Sequence, residues 1–196
     1  MKRYTWFLGV VAFLLIVVAI LNGINTSQDE EIPSGGPNRG AQMHPFATPL
    51  AASDLEGDAN VAVKDGQGEF GDRAACKVRG PKILNICQLY EKKPVVLAIF
   101  PVQGEQCREI LPQLDRVAQR FPYVAFAAVG SRGDRDDLET GWVFPVGWDR
   151  DGAIASLYGL VGCPQITFAH RGGKVLTTTR TEMTDADIAA QVERLR

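Results

Sequence analysis

The chain has 196 residues, with 21 basic and 23 acidic side chains, 45% apolar and 22% charged residues, and a formal charge of −2 at pH 7. That length allows one domain or at most two small ones, and the composition excludes a wholly disordered chain, a collagen and a multi-span membrane protein. No segment shows the local excess of Lys and Arg that phosphate binding needs, which speaks against a nucleic-acid partner.

In chain order, Lys2 and Arg3 precede an apolar run from Trp6 to Leu21 that extends through Asn22 and Gly23 to Ile24. These 19 residues, at about 1.5 Å rise each, reach roughly 28 Å, close to the hydrocarbon thickness of a bilayer. The run has no polar face, which a core helix would carry. No small-x-small pair follows it, as cleavage of a signal peptide would require. Residues 1–25 therefore read as a cytoplasmic stub and single-pass transmembrane anchor, with a cleaved signal peptide as the alternative. Positive charge before the run and none just after it predicts that the rest of the chain lies outside the cytoplasm. Disulfides persist in such a compartment.

Residues 26–73 are dominated by Gly, Pro, Ser, Ala, Asp and Asn with no sustained period of two or 3.6, which predicts a flexible tether. Met43, Pro45, Phe46 and Leu50 are isolated within it and read as solvated rather than docked. Residues 74–196 change texture and predict one domain. Cys76 and Cys87 flank a turn centred on Pro81 and Lys82, which would set them directly opposite each other, within range of a structural disulfide. Val95 to Phe100 predicts a strand buried on both faces. Glu105 to Gln119 predicts a helix with Ile110, Leu111, Leu114, Val117 and Ala118 on one stripe, kinked by Pro112. Val124 to Val129 predicts a second buried strand, parallel to the first through a right-handed crossover. Short helices are expected at Asp136–Leu138 and Asp151–Tyr158, the latter fed by a turn through Trp148, Asp149 and Arg150. Gln165–Ala169 and Val175–Thr179 predict a hairpin about Arg171-Gly172-Gly173. Thr184 caps a closing helix with Asp185 and Asp187 in its first turn. The order β, α, β, α, β, β, α makes the domain α/β.

His44 and His170 lack Cys or Asp partners at ligand spacing, so no metal or other cofactor is expected. Asp134, Asp136 and Asp137 read as a solvated helix start rather than a catalytic pair of carboxylates.

Three stretches carry a resemblance. Lys93 through Phe100 is similar to the first core strand, and Cys107-Arg108-Glu109-Ile110-Leu111-Pro112 to the active-site helix, of the thioredoxin-like superfamily. Within it, the chain resembles the membrane-anchored redoxins of the TlpA type. Tyr158-Gly159-Leu160-Val161-Gly162-Cys163-Pro164 is similar to the family's segment that ends in a cis proline facing the active site. The resemblance implies a thioredoxin-like fold, a central mixed sheet flanked by helices, behind the N-terminal anchor. The family's Cys-x-x-Cys reads Gly104-Glu105-Gln106-Cys107 here, so Gly104 stands where the first, attacking cysteine would be. In the resembling fold the residue before the cis proline packs against the start of the active-site helix. The resemblance thus implies a dithiol of Cys107 and Cys163, distant in sequence and adjacent in space, with Gly104, Gln106 and Pro164 shaping the substrate groove. The expected partners are protein thiols or disulfides, or a membrane-side redox donor. Two alternatives stay open: a catalytically silent module that binds an extended peptide beside the proline loop, and a peroxidase resembling the peroxiredoxins. The latter have a threonine where Gly104 stands and a proline one residue further from the cysteine than Pro101 is from Cys107.

Overall fold

A computed structural model of the chain describes residues 35–55, 61–64, 68–138 and 140–196. The anchor expected over residues 1–25 lies outside the described residues; among the described residues no helix is long and apolar enough to cross a membrane. In chain order the elements are β1 (Ala47–Pro49), β2 (Ile83–Asn85), α1 (Ile86–Lys92), β3 (Val95–Pro101), α2 (Glu105–Arg108), α3 (Ile110–Arg120), β4 (Ala125–Ser131), β5 (Val146–Asp149), α4 (Ala153–Leu157), β6 (Gln165–Ala169), β7 (Val175–Thr179) and α5 (Asp185–Glu193). Single turns of 3-10 helix occur at Ala75–Lys77 and Arg135–Asp137.

The apolar run from Val95 onward becomes the centre of a mixed sheet of order β5-β4-β3-β6-β7. β3 runs parallel to β4 and β4 to β5, whereas β6 is antiparallel to both β3 and β7. Successive side chains of a strand point to opposite faces, so β3 supplies two cores. Val96, Ala98 and Phe100 face one, with Ile110, Leu111, Leu114 and Val117 of α3 and Ile188 and Val192 of α5. Val95, Leu97 and Ile99 face the other, with Ile154 and Leu157 of α4 and Ile86 of α1. A run that is apolar at every position is what two buried faces demand.

The long helix expected from Glu105 is split, with Glu109 between α2 and α3. Pro112 accounts for the break: it has no N–H to offer the Arg108 carbonyl, and its ring crowds that carbonyl. The hairpin β6–β7 turns through Gly172 and Gly173, at φ 88° and 84°, which residues with a Cβ adopt poorly. α5 starts with a capping box: Thr184 Oγ1 accepts from Asp187 N at 3.2 Å and the Asp187 carboxylate accepts from Thr184 N at 3.0 Å. Arg135–Asp137 forms one 3-10 turn where a short helix was expected.

Two expectations need correction. The first concerns residues 35–55, placed within a flexible tether. Met43 and Phe46 are fully buried. β1 pairs with β2 in a small antiparallel sheet, and Leu50 bridges to Gly147 at the β5 edge. The segment is held mainly through its backbone: Met43 N donates to Gly173 O at 2.8 Å, Ala51 N to Val146 O at 2.8 Å, and the Tyr158 hydroxyl to His44 O at 2.8 Å. Backbone bonds of this kind do not depend on sequence period, so a stretch rich in Gly and Pro can be ordered without an amphipathic signature.

The second correction concerns how Cys76 and Cys87 meet. They are paired, with Cα atoms 5.3 Å apart, but not across a hairpin. Cys76 lies in the 3-10 turn and Cys87 in the first turn of α1. Asn85 organises the junction: its Oδ1 accepts from Gln88 N at 3.1 Å, capping α1, while its Nδ2 donates to Ala75 O and Val78 O at 2.9 and 2.7 Å. β5 is an addition to the expected elements, formed where a turn was read.

Candidate functional site

The register of the central strands decides which loops meet. β6 is antiparallel to β3 with Ile99 opposite Gln165. The chain leaving β3 toward α2 therefore lies beside the chain entering β6, and both loops emerge at the same end of the sheet. Cys107 in α2 and Cys163, two residues before β6, are brought together across a sequence separation of 56; their Cα atoms are 5.4 Å apart and their sulfurs are bonded. The Cys163–Pro164 peptide bond is cis.

Gly104 is the residue that fits this pairing sterically. It precedes α2 with φ −91° and ψ 96°, a conformation open to most residues, so backbone freedom is not its role. A Cβ at this position would meet Cys107 Sγ at 2.5 Å, closer than any unstrained contact. Gly104 leaves the space into which the Cys107 sulfur turns. Its carbonyl accepts from Cys107 N at 2.9 Å and from Arg108 N at 3.3 Å, closing the first turn of α2.

The two sulfurs differ in exposure. Cys107 is 7% exposed and belongs to the core under α3, whereas Cys163 is half-buried at the core's edge. A small groove opens beside Pro164, with Gln106, Glu109 and Gln113 on the α2–α3 side and Glu182 and Met183 opposite. Of the residues expected to shape a groove, Gln106 and Pro164 line this one, while Gly104 instead packs at the Cys107 sulfur. Gln113, Glu182 and Met183 carried no sequence signal, because only the tertiary fold carries the loop after β7 to the face of α3. Arg108 Nη1 donates to Asp137 O at 3.1 Å, which directs that cation toward the 3-10 turn. Among the described residues there is no group of three or more His, Cys, Asp or Glu side chains that could hold a metal.

Solved structures place this architecture. A protein of Chlorobium tepidum assigned as the thiol:disulfide interchange protein DsbE superposes with a TM-score of 0.59 at 16% identity, covering 81% of this chain and 97% of that one. The fold is thioredoxin-like. A second Chlorobium tepidum structure, a thiol:disulfide interchange protein of the thioredoxin family, gives a TM-score of 0.56 at 13% identity over 81% of this chain and 98% of that one. A secreted Mycobacterium tuberculosis disulfide oxidoreductase homologous to Escherichia coli DsbE gives 0.52 at 23% identity, over 58% of this chain and 90% of that one. No protein-family profile and no curated protein matches the chain. Cys107 lies in α2 and Cys163 directly precedes the cis proline.

Proposed function

We propose that this chain is a membrane-anchored, extracytoplasmic thiol-disulfide exchange protein whose redox pair is Cys107 and Cys163. The observation that carries this reading is the convergence of those two cysteines beside a cis proline, at the end of the sheet where α2 begins. The thiol:disulfide chemistry named for the solved structures of like fold agrees with it. The apolar run behind Lys2 and Arg3 supplies the anchor.

The exchange runs in two balanced displacements. A substrate thiolate attacks the more accessible sulfur, Cys163 Sγ; the Cys107–Cys163 bond breaks, and its electron pair leaves on Cys107 as a thiolate. The second substrate thiolate then attacks the substrate sulfur of the mixed disulfide and expels Cys163 as a thiolate. The substrate ends oxidised by two electrons and the protein reduced by two, with the two protons shared among the released thiolates and solvent. The same steps in reverse reduce a substrate disulfide. Cys163 is thus the residue that forms the mixed disulfide, and Cys107 the buried leaving group. By the family resemblance, Cys107 keeps the role of the second cysteine, and the attacked sulfur moves from the place of Gly104 to Cys163.

Single-cysteine variants of the full chain test the assignment. In Cys107→Ser the remaining Cys163 thiol is expected to alkylate about tenfold faster than the Cys107 thiol in Cys163→Ser, and to trap a substrate as a mixed disulfide, because access controls thiol reactivity. If neither variant traps a partner and the wild-type pair resists mild reducing agents, the chain is instead a silent binding module.

A further inference from the structure

We infer that a cleft on the α4 side of the disulfide takes a small thiol bearing a carboxylate, bound by Arg132, and that such a thiol is the reductant of the Cys107–Cys163 pair. The inference rests on the exchange reading above and adds the class of thiol. The cleft, of about 380 Å³, opens where β3 and β4 end, and a volume of that order suits a small molecule. Ligands of open α/β sheets bind at this end of the parallel strands. Pro101, Ala155, Leu160 and Val161 make apolar walls, Ser156 adds an exposed hydroxyl, and Arg132 is the single charged residue of the lining.

Two observations place this cleft beside the sulfurs. Val161 is two residues from Cys163. The point where a Cβ of residue 104 would stand is 3.5 Å from Pro101 Cγ and 2.5 Å from Cys107 Sγ, so the Pro101 wall adjoins the disulfide. Pro101 is the register partner of Ser131, which sets the Arg132 backbone one strand spacing, about 4.8 Å, and one residue, about 3.3 Å, away from it. A carboxylate a few bonds from a sulfur spans such a gap.

Arg132 is held in place, unlike a solvated surface arginine. Among the described residues it is the one non-glycine with a positive φ, 57°, a conformation that costs free energy and concentrates at functional sites. Its N–H donates to Asp149 O at 2.9 Å, and its side chain lies over Gly152, where a Cβ would meet Arg132 Nε at 2.5 Å. Arg132 makes no ion pair among the described residues. The carboxylates that flank Arg150 accept from backbone, Asp149 from Ile154 N and Ala155 N, and Asp151 from Ala153 N. A guanidinium so fixed, with no counter-ion and beside apolar walls, is complementary to a carboxylate on a small organic body.

The bound thiolate attacks Cys163 Sγ, and Cys107 leaves as a thiolate. A second thiolate attacks the ligand sulfur of the mixed disulfide and expels Cys163. Two small thiols thus become one disulfide, the protein gains two electrons, and the two protons pass to the released thiolates or to solvent.

The test uses the oxidised full chain in detergent, with glutathione and its diethyl ester as probes, one body with and without charged carboxylates, compared at equal thiolate concentration. Opening of the Cys107–Cys163 bond, read by alkylation, is expected to be about tenfold faster with glutathione at low ionic strength. S-methylglutathione, which cannot exchange, is expected to slow that reaction by competing for the cleft. Arg132→Gln should bring the glutathione-to-ester ratio to about one, and Arg132→Lys should restore part of it by returning a cation. Equal rates with the two probes, no competition by S-methylglutathione, or a ratio unmoved in Arg132→Gln overturns this inference alone. Failure of both probes and of dithiothreitol to open the bond overturns it together with the exchange reading.

Discussion

A missing methyl group at Gly104 permits the Cys107–Cys163 geometry. Gly104→Ala would put a carbon 2.5 Å from Cys107 Sγ, and overpacking of that kind costs about 1–3 kcal/mol. The strain falls on the oxidised form, in which the sulfur is tethered to Cys163, more than on the reduced form, in which it can rotate away. The variant should therefore be about tenfold easier to reduce, read as the fraction of alkylated thiol at equilibrium in glutathione buffers. An unchanged equilibrium would mean that the backbone before α2 yields without cost, and that the glycine serves another purpose. A cysteine at position 104 would meet the same obstacle, so the Gly104 site and a Cys107–Cys163 pair are alternatives in the space they occupy.

At the scale of the element, Asp149 shows how a strand end can serve a helix. The carboxylate is fully buried and accepts from Ile154 N at 3.1 Å and Ala155 N at 3.0 Å, so the last residue of β5 caps α4 in place of Gly152, which has no side chain. Desolvation pushes its pKa above the usual 3.8, against the lowering effect of the two N–H donors. A carboxyl whose pKa is raised on folding holds its proton longer in the native state, so its contribution to stability is complete below 3.8 and lost as pH rises through the folded value. Asp149 should therefore contribute a component of stability that falls with rising pH just above 3.8, by at most about 1.4 kcal/mol per pH unit. It acts against the opposite contributions of Asp54, Asp185 and Asp187, whose pKa values are lowered, and comparison of urea midpoints with Asp149→Asn isolates it. Asp149→Asn should lack that component, and equal slopes in the two proteins would show that Asp149 ionises as freely folded as unfolded.

The same element shows why some of the fold was legible in sequence and some was not. The β6–β7 hairpin and the α5 cap are written in adjacent residues, Gly172-Gly173 and Thr184 to Asp187. β3 and β4 are legible because both faces are buried and every position is apolar. β5 is four residues long and ends in Trp148 and Asp149, which read as the start of a turn. Gly147 is there because a Cβ would meet Thr48 at 2.6 Å and Leu84 at 2.9 Å, a constraint set by β1 and β2 from far away in the chain. The sulfur pairing at 107 and 163 was open only through the family resemblance, since no local period encodes an antiparallel register between β3 and β6. The far wall of the groove beside Pro164 was not open even so, because Glu182 and Met183 reach it only through the tertiary fold.

At the scale of the whole molecule, the segment from residue 35 to 55 extends from β7 to β5, with Met43, Phe46 and Leu50 on the face opposite α3 and Ala51 in the core under α3. Gly40 N donates to Val175 O at 2.8 Å, Thr178 Oγ1 to Pro37 O at 2.9 Å, and Arg135 donates to the carbonyls of Ser53 and Leu55 while its guanidinium stacks 4.4 Å over the Trp148 ring. Phe46 is the apolar centre of this attachment, fully buried and edge-on to Tyr158 at a centroid distance of 5.8 Å. It belongs to the same core as Val95, Leu97 and Ile99, so the segment closes a face of the sheet that would otherwise meet water. Phe46→Ala should then cost about 3–5 kcal/mol, as truncation of a core aromatic does, and lower the urea midpoint in a single cooperative transition. A solvated tether would register no more than a few tenths of a kcal/mol at an exposed side chain. Because the Cys107–Cys163 pair draws on the opposite core, Phe46→Ala should leave the pair's equilibrium with glutathione unchanged under conditions where the variant remains folded. A reducibility that rises together with the loss of stability would instead mean that the two faces of β3 act as one unit.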